Sequence, residues 1–342
     1  MLSVLGKLPS GSRLERIQGS PTFRHPEFQN ISHTPMMAED ASYWQVMRKF
    51  MQRTPGLTPA KPLPVVHSPL QQLRGNDMQI VWFGHSSYLI VFQGKRILVD
   101  PVFSGNASPV PGMIAAFKGS DMFKADMMPA IDVLLITHDH YDHLDHQTIR
   151  ALRTSVDQVV CSLGVGAHLE HWGYDAGRIH ELYWQESIQL GDMQFTATAA
   201  RHFSGRSLSR NRTLWSAFVL EMYGKRIYLG GDSGYDTHFA EIGSTFGHFD
   251  LAILECGQYN PAWKYIHMMP EETVLAAKAL GAKMLMPVHW GKFKLSLHPW
   301  IEPAERVWTA AQQQQMPVAM PMQGAVYTLG SGPVDAPWWR MD

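Results

Sequence analysis

The apolar run IDVLLIT at 131–137 leads straight into His138-Asp139-His140-Tyr141-Asp142-His143. A run of that length and character suits a strand buried on both faces. Side chains at i and i+2 of an extended segment point the same way, so His138 and His140 converge on one point. Asp142 and His143 follow as the chain turns into a helix, and they reach a second point a few ångströms away. Imidazole nitrogen and carboxylate oxygen suit Zn²⁺, and also Fe or Mn. A metal-binding loop at a strand end is therefore the first expectation.

The rest of the chain supplies a frame for that loop. MQIVWFG, SSYLIVFQ and RILVD are short β-rich runs split by Gly, as expected of consecutive antiparallel strands. DHQTIRALR reads as a helix and QVVCSLG as the next strand. QESIQLGDMQFTATAA reads as a hairpin turning at Gly191-Asp192, and TLWSAFVLEMYGKRIYLGGD as a second with Gly224-Lys225 at its turn. DLAILE is a further buried strand. PEETVLAAKALG is a helix with Pro at its start, Glu in its first turn and Gly281 past its end. KMLMPVH, EPAERVWTAAQQQQ and GAVYTLG complete a strand, a helix and a closing strand. This order predicts an α/β protein: a two-layered sheet core flanked by helices, in two roughly similar halves.

Residues 1–71 differ from this pattern. Gly-, Ser- and Pro-rich stretches surround one helix-like segment from about Glu39 to Gln52. The prolines at 55, 59, 62, 64 and 69 make the last part extended. The expectation is an N-terminal arm (1–71) packing on a main domain (72–331), with a C-terminal tail (332–342). The alternative for the arm is a partly disordered leader.

Charge and cysteine usage narrow the function. Twenty-nine Lys and Arg against 30 Asp and Glu leave a formal net charge of −1, without the basic footprint of a nucleic-acid enzyme. Cys161 and Cys256 form no CxxC pair, so any metal is held by His and carboxylate. Lys7, Arg13 and Arg16 stand near the N-terminus with no apolar core of a signal peptide. No run approaches the ~18 apolar residues of a membrane span. A cytoplasmic protein is expected; a peripheral membrane contact and a homodimer are both compatible with the sequence.

HxHxDH after an apolar strand resembles the signature of the metallo-β-lactamase superfamily, and the resemblance continues in order across about residues 78–330. It implies an αββα sandwich: two mixed β-sheets face to face, helices outside, and the metal site at the sheet edge. It also implies the remaining ligands: His202 in TATAARHFSGR, Asp232 in YLGGDSGYD and His289 in MLMPVHWGKF. By that resemblance His138, His140 and His202 hold one metal ion. Asp142, His143 and His289 hold a second, and Asp232 bridges the two. Within the superfamily the chain is most similar to the N-acyl-phosphatidylethanolamine-hydrolysing phospholipase D group. The shared features are WFGHSSYLI (82–90), ILVDPVFS (97–104), HDHYDHLD, GDSGY (231–235), GQYNPAWKYIHMMPEE (257–272) and VHWGKFKL (288–295).

That resemblance implies two Zn²⁺ ions, with Fe or Mn as alternatives, sharing a hydroxide that attacks phosphorus. Asp142 is a ligand and a candidate proton acceptor. His267 is a candidate for positioning the phosphate or protonating the leaving group. His85 and Asp100 are expected to support the site through hydrogen bonds, and Tyr235 and Tyr259 to line the phosphate pocket. The stretch 103–130, rich in Met and Gly, is expected to cover the cleft, either as an adaptable wall facing acyl chains or as a connector packed on the core. The leading expectation is a metal-dependent phosphodiesterase acting on a phospholipid in the manner of a phospholipase D. The alternatives are a lactonase or sugar-phosphate hydrolase, a nuclease, an iron-dependent oxidoreductase, and a metal-binding regulatory scaffold without turnover.

Overall fold

The computed structural model describes residues 2–52, 55–207 and 209–340. Two mixed β-sheets form its centre. The first has seven strands in the order β15-β3-β4-β5-β6-β7-β8. In sequence these are β3 (Gln79–Trp82), β4 (Tyr88–Phe92), β5 (Lys95–Val99), β6 (Ile131–Ile136), β7 (Val156–Ser162), β8 (Ile179–Leu182) and the returning β15 (Val326–Thr328). Strands β3 to β5 form the antiparallel meander expected of Gly-split runs, and β5 to β8 are parallel. The second sheet runs β14-β13-β12-β11-β10-β9. Its strands are β9 (Ser187–Leu190), β10 (Met193–Thr198), β11 (Ala217–Met222), β12 (Lys225–Leu229), β13 (Leu251–Glu255) and β14 (Leu285–Val288).

The face-to-face packing explains the apolar runs. In β4, Tyr88, Ile90 and Phe92 enter the core between the sheets, while Leu89 and Val91 enter a second core under the outer helices. In β6, Val133 and Leu135 face the opposite sheet, and Leu134 and Ile136 pack with Ile149 and Leu152 of α3 (His146–Leu152). Strands covered on both faces cannot alternate polar with apolar. On the far side α6 (Pro270–Ala279) and α7 (Glu302–Gln313) bury Val274, Ala277, Val307 and Ala311 against the second sheet. The remaining α-helices among the described residues are α1 (Ser12–Gln18), α2 (Tyr43–Met51), α4 (Gly166–His171) and α5 (His238–Phe246). None is long and apolar enough to cross a membrane.

Both expected hairpins form. The first turns at Gly191-Asp192, with Leu190 opposite Met193. The second turns one residue earlier than expected, at Tyr223-Gly224, because Lys225 already pairs with Met222. Tyr223 and Gly224 have φ of 47° and 74°, the pair of positive values that a type I′ turn requires.

The arm carries more structure than a single helix. Besides α1 it contains a small hairpin, β1 (Phe23–Arg24) and β2 (Glu27–Phe28). Ile17 and Phe28 are fully buried with Trp184, Leu214 and Trp215 of the main sandwich. The helix expected from Glu39 begins at Tyr43, and Glu39 accepts from the Tyr265 hydroxyl (3.0 Å). In the tail, Trp339 is fully buried and packs edge-on against Trp290.

Candidate metal centre and cleft

Strands β3, β5 and β6 of one sheet and β10, β12, β13 and β14 of the other deliver the histidines and carboxylates at their carboxyl ends. The backbone is free to turn there, and the last apolar side chains lock each strand into the core. His138, His140, Asp142 and His143 follow β6. His202 follows β10, Asp232 follows β12, Glu255 ends β13 and His289 follows β14.

Two donor sets converge. His138, His140, His202 and Asp232 form one, with donor atoms all within 4.8 Å of one another. His140 Nδ1 lies 2.9 Å from His138 Nε2 and 3.2 Å from His202 Nε2. Asp232 Oδ2 lies 3.8 and 3.6 Å from the same two Nε2 atoms. A tetrahedral ion with ~2.05 Å bonds to nitrogen has edges of about 3.3 Å, so these separations fit such a site. A network of hydrogen bonds fits poorly, because one proton on His140 Nδ1 cannot serve two imidazole nitrogens.

His85, Asp142, His143 and His289 form the other set. Asp232 Oδ2 lies 3.2 Å from His143 Nε2 and 3.3 Å from His289 Nε2, so this carboxylate faces both sets. His143 Nε2 and Asp232 Oδ1 are buried without a hydrogen-bond partner. Orphaned buried atoms of this kind call for a missing partner, and a cation between the sets supplies one.

Neighbouring groups fix the imidazole tautomers. His143 Nδ1 donates to Asp100 Oδ2 (2.7 Å) and His202 Nδ1 to the Ile266 carbonyl (2.8 Å). His138 Nδ1 donates to Thr137 Oγ1 (3.0 Å), whose hydroxyl donates to Asp100 (2.6 Å). In the neutral imidazole each bond leaves Nε2 as a bare lone pair aimed inward, the arrangement that metal ligation needs. Electrostatics agree. Burial holds His138 and His202 well below the usual imidazole range, so both are neutral. Burial opposes charge on His289 too, yet Asp232, Asp142 and Glu255 raise it to about 10. The carboxylates thus pull onto His143 and His289 the positive charge that a cation would bring.

His85 and Asp100 both lie in hydrogen-bond contact with residues of the donor sets. His85 is fully buried, and its Nε2 donates to Asp142 Oδ2 (2.9 Å). His267 is half-buried, its ring centroid 4.9 Å from that of His202 and 5.3 Å from that of His289. The two tyrosines are not brought to the site. Tyr259 donates its hydroxyl to Glu302 (2.5 Å) and stacks on His298, while Tyr235 stacks on Phe239. Glu302 and Arg306 at the start of α7 fix the orientation of the Tyr259 ring and hydroxyl.

Sequence reasoning missed three residues. Glu255 is fully buried; it accepts from His267 Nδ1 (2.6 Å) and Ser233 N (2.8 Å). Its signal was visible, since it is the one charge that closes the apolar run LAILE. Asn30 of the arm clamps the His202 backbone, donating to its carbonyl (2.8 Å) and accepting from its N–H (3.1 Å). Lys292 is fully buried, and its ammonium donates to the carbonyls of Phe83 (3.2 Å) and Val102 (2.8 Å), which precede His85 and follow Asp100.

Beside the donors a cleft of about 620 Å³ opens, lined by His140, Asp142, Ala107, Pro109, Ile114, Phe203 and Leu295, with Arg210 also in its wall. The 103–130 stretch supplies part of this wall, but through Ala107, Pro109 and Ile114. Met113 points to solvent, 72% exposed.

Comparison with known proteins agrees with this geometry. The family described as "Beta-lactamase superfamily domain" matches residues 95–290. An uncharacterized protein of Mycobacterium tuberculosis is 39% identical over 328 residues, covering 94% of this chain and 88% of that protein. The N-acyl-phosphatidylethanolamine-hydrolyzing phospholipase D 1 of Caenorhabditis elegans is 30% identical over 245 residues, 66% of this chain and 67% of that protein. Among solved structures, Igni18, a metallo hydrolase from the archaeon Ignicoccus hospitalis, superposes with a TM-score of 0.54 at 19% identity, over 73% of this chain and 97% of that one. By fold, donor geometry and sequence, then, the chain belongs to the metallo-β-lactamase superfamily as a metal-dependent hydrolase.

Proposed function

We propose that this hydrolase is a dizinc phosphodiesterase that cleaves a lipid phosphodiester in the manner of a phospholipase D. With an N-acyl phosphatidylethanolamine the products would be a phosphatidic acid and an N-acylethanolamine. The observation that carries the reading is the cleft: His140 and Asp142 open onto the same apolar wall as Ile114, Phe203 and Leu295. An anionic centre next to hydrocarbon is what such a surface accommodates. Similarity to the Caenorhabditis elegans phospholipase points the same way.

His138, His140 and His202 would hold one ion, and Asp142, His143 and His289 the other, with Asp232 between them. Bound metal supplies Lewis acidity, activating water and offsetting charge on the phosphate oxygens. The chain does the rest. Asp100, Thr137 and Ile266 hold the imidazoles of His143, His138 and His202 in register. Glu255 orients His267 through Nδ1, which places that ring to protonate the leaving alcohol oxygen as the phosphorus–oxygen bond breaks.

The test joins metal content to turnover on bis(p-nitrophenyl) phosphate, an N-acyl phosphatidylethanolamine and a sugar lactone. About two zinc per chain with preference for the lipid supports the reading. Preference for the lactone discards the phospholipase assignment and keeps the site. Full activity in Asp232→Ala or His140→Ala would remove the metal assignment itself.

A further inference from the structure

The first turn, Leu2–Leu5, ends at the cleft, whose lining Leu5 shares with His140, Tyr141 and Asp142 of the metal-binding loop. Of the residues Ser3 to Leu8 none is fully buried, so the segment adds little to the core. It is nevertheless held tightly. The Val4 carbonyl accepts from Arg206 Nη2 (2.9 Å), and the Ser3 carbonyl from Trp172 Nε1 (2.8 Å). Lys7 N donates to His168 Nδ1 (3.0 Å). Gly6 sits at φ +73°, and a Cβ there would fall 2.1 Å from His168 Nδ1, so only glycine lets the chain pass.

The residues that hold this turn also hold the metal loop. Arg206 Nη1 donates to the carbonyls of Asp139 (2.8 Å) and Leu144 (2.7 Å), and His168 Nε2 donates to the Asp139 carboxylate (3.2 Å). Asp139 stands between His138 and His140. The outcome is that Leu5, half-buried, is presented to the cleft beside His140 and Asp142, in the same lining as Ile114 and Leu295. A segment with no fully buried residue, fixed by specific hydrogen bonds to side chains that also hold the metal loop, is placed for the cleft.

We propose that Leu5 forms a wall of a hydrocarbon-chain subsite and sets the chain-length preference of the enzyme. This rests on the phosphodiesterase reading above for its catalytic consequence. The ligand is the unbranched alkyl chain of a phosphodiester whose phosphate sits at His140 and Asp142. Leu5 is a specificity residue and takes no part in bond breaking.

The experiment uses p-nitrophenyl ethyl, hexyl and decyl phosphodiesters with the metal-loaded full chain, together with calorimetric binding of ethyl- and decylphosphonate. For the wild type kcat/KM should rise with chain length. Leu5→Ser should lower the decyl value about tenfold and change the ethyl value less than about threefold, and Leu5→Met should restore the rise. An equal fall for all three diesters would show a merely structural role, and unchanged values would show that no chain lies on Leu5; either overturns the subsite. If no diester is turned over but decylphosphonate binding still weakens about tenfold in Leu5→Ser, the subsite stands and the phosphodiesterase reading falls.

Discussion

Replacing Glu255 by Gln keeps the shape of the side chain and removes one acceptor. In the native structure Oε1 accepts from the backbone N–H of Ser233 (2.8 Å) and Met268 (3.3 Å). Oε2 accepts from His267 Nδ1 (2.6 Å) and lies 3.2 Å from His289 Nδ1, off the line of a good hydrogen bond. A glutamine must keep its oxygen on the two amides, because turning its NH₂ toward them would set donor against donor inside the core. The NH₂ then faces His267 and His289, and their Nδ1 atoms become acceptors. The proton moves to Nε2, and a protonated His289 Nε2 cannot ligate a metal. A hydrogen bond to a buried charged group contributes about 1.5–3 kcal/mol, which corresponds to roughly 10–100-fold in metal affinity. Zinc competition with a chromogenic chelator reads this directly, with elemental analysis for stoichiometry. Glu255→Gln should lose one metal preferentially while its thermal midpoint, measured in chelator, changes little. Retention of wild-type affinity for both metals would refute the tautomer argument.

Asn30→Ala removes both clamps on the His202 backbone, and should cost about 1–3 kcal/mol in stability and weaken metal retention on dialysis. Gly234→Ala puts a Cβ 2.0 Å from the Tyr265 carbonyl, a backbone contact that cannot yield cheaply; Asp232 and the His267 loop should separate, with metal loss and a lower thermal midpoint. Lys292 gives a pH test. Burial lowers its ammonium from 10.5 to about 7, so between those values the unfolded chain binds a proton that the folded chain does not. Stability should therefore rise with pH across that window, by up to about 4–5 kcal/mol from this group. Denaturant titrations at pH 7 and pH 10 should show a larger gain in wild type than in Lys292→Met, and parallel curves would contradict the assignment.

Much of the fold was legible because its strands are covered on both faces or alternate strictly around short turns. IDVLLI and DLAILE could be read as buried strands, and YGK and LGD as hairpin turns, from side-chain chemistry alone. The one-residue shift at Tyr223 arose because a tyrosine, with no propensity of its own for positive φ, sits where the register of β11 and β12 puts it. Helices α1, α4 and α5 were not seen. They are short, six to nine residues, and none has a side-chain cap at its start. Motif position says where a tyrosine stands in the chain, while Glu302, 43 residues away, decides where Tyr259 points.

The same distinction separates the ligands from the residues that make them ligands. His138, His140 and Asp142 are close in sequence because one strand end can aim several donors at once. Glu255, Asn30 and Lys292 act from three other segments, through bonds to tautomers or to backbone carbonyls, and such bonds leave no spacing pattern. Asn30 and Leu5 both belong to the arm: one bonds the His202 backbone, the other lines the cleft beside His140. An arm that only capped exposed apolar surface would need buried side chains such as Ile17 and Phe28 and nothing more. Its polar contacts with the metal-bearing loops imply that cutting the arm away should weaken metal retention more than it lowers the thermal midpoint of the sandwich.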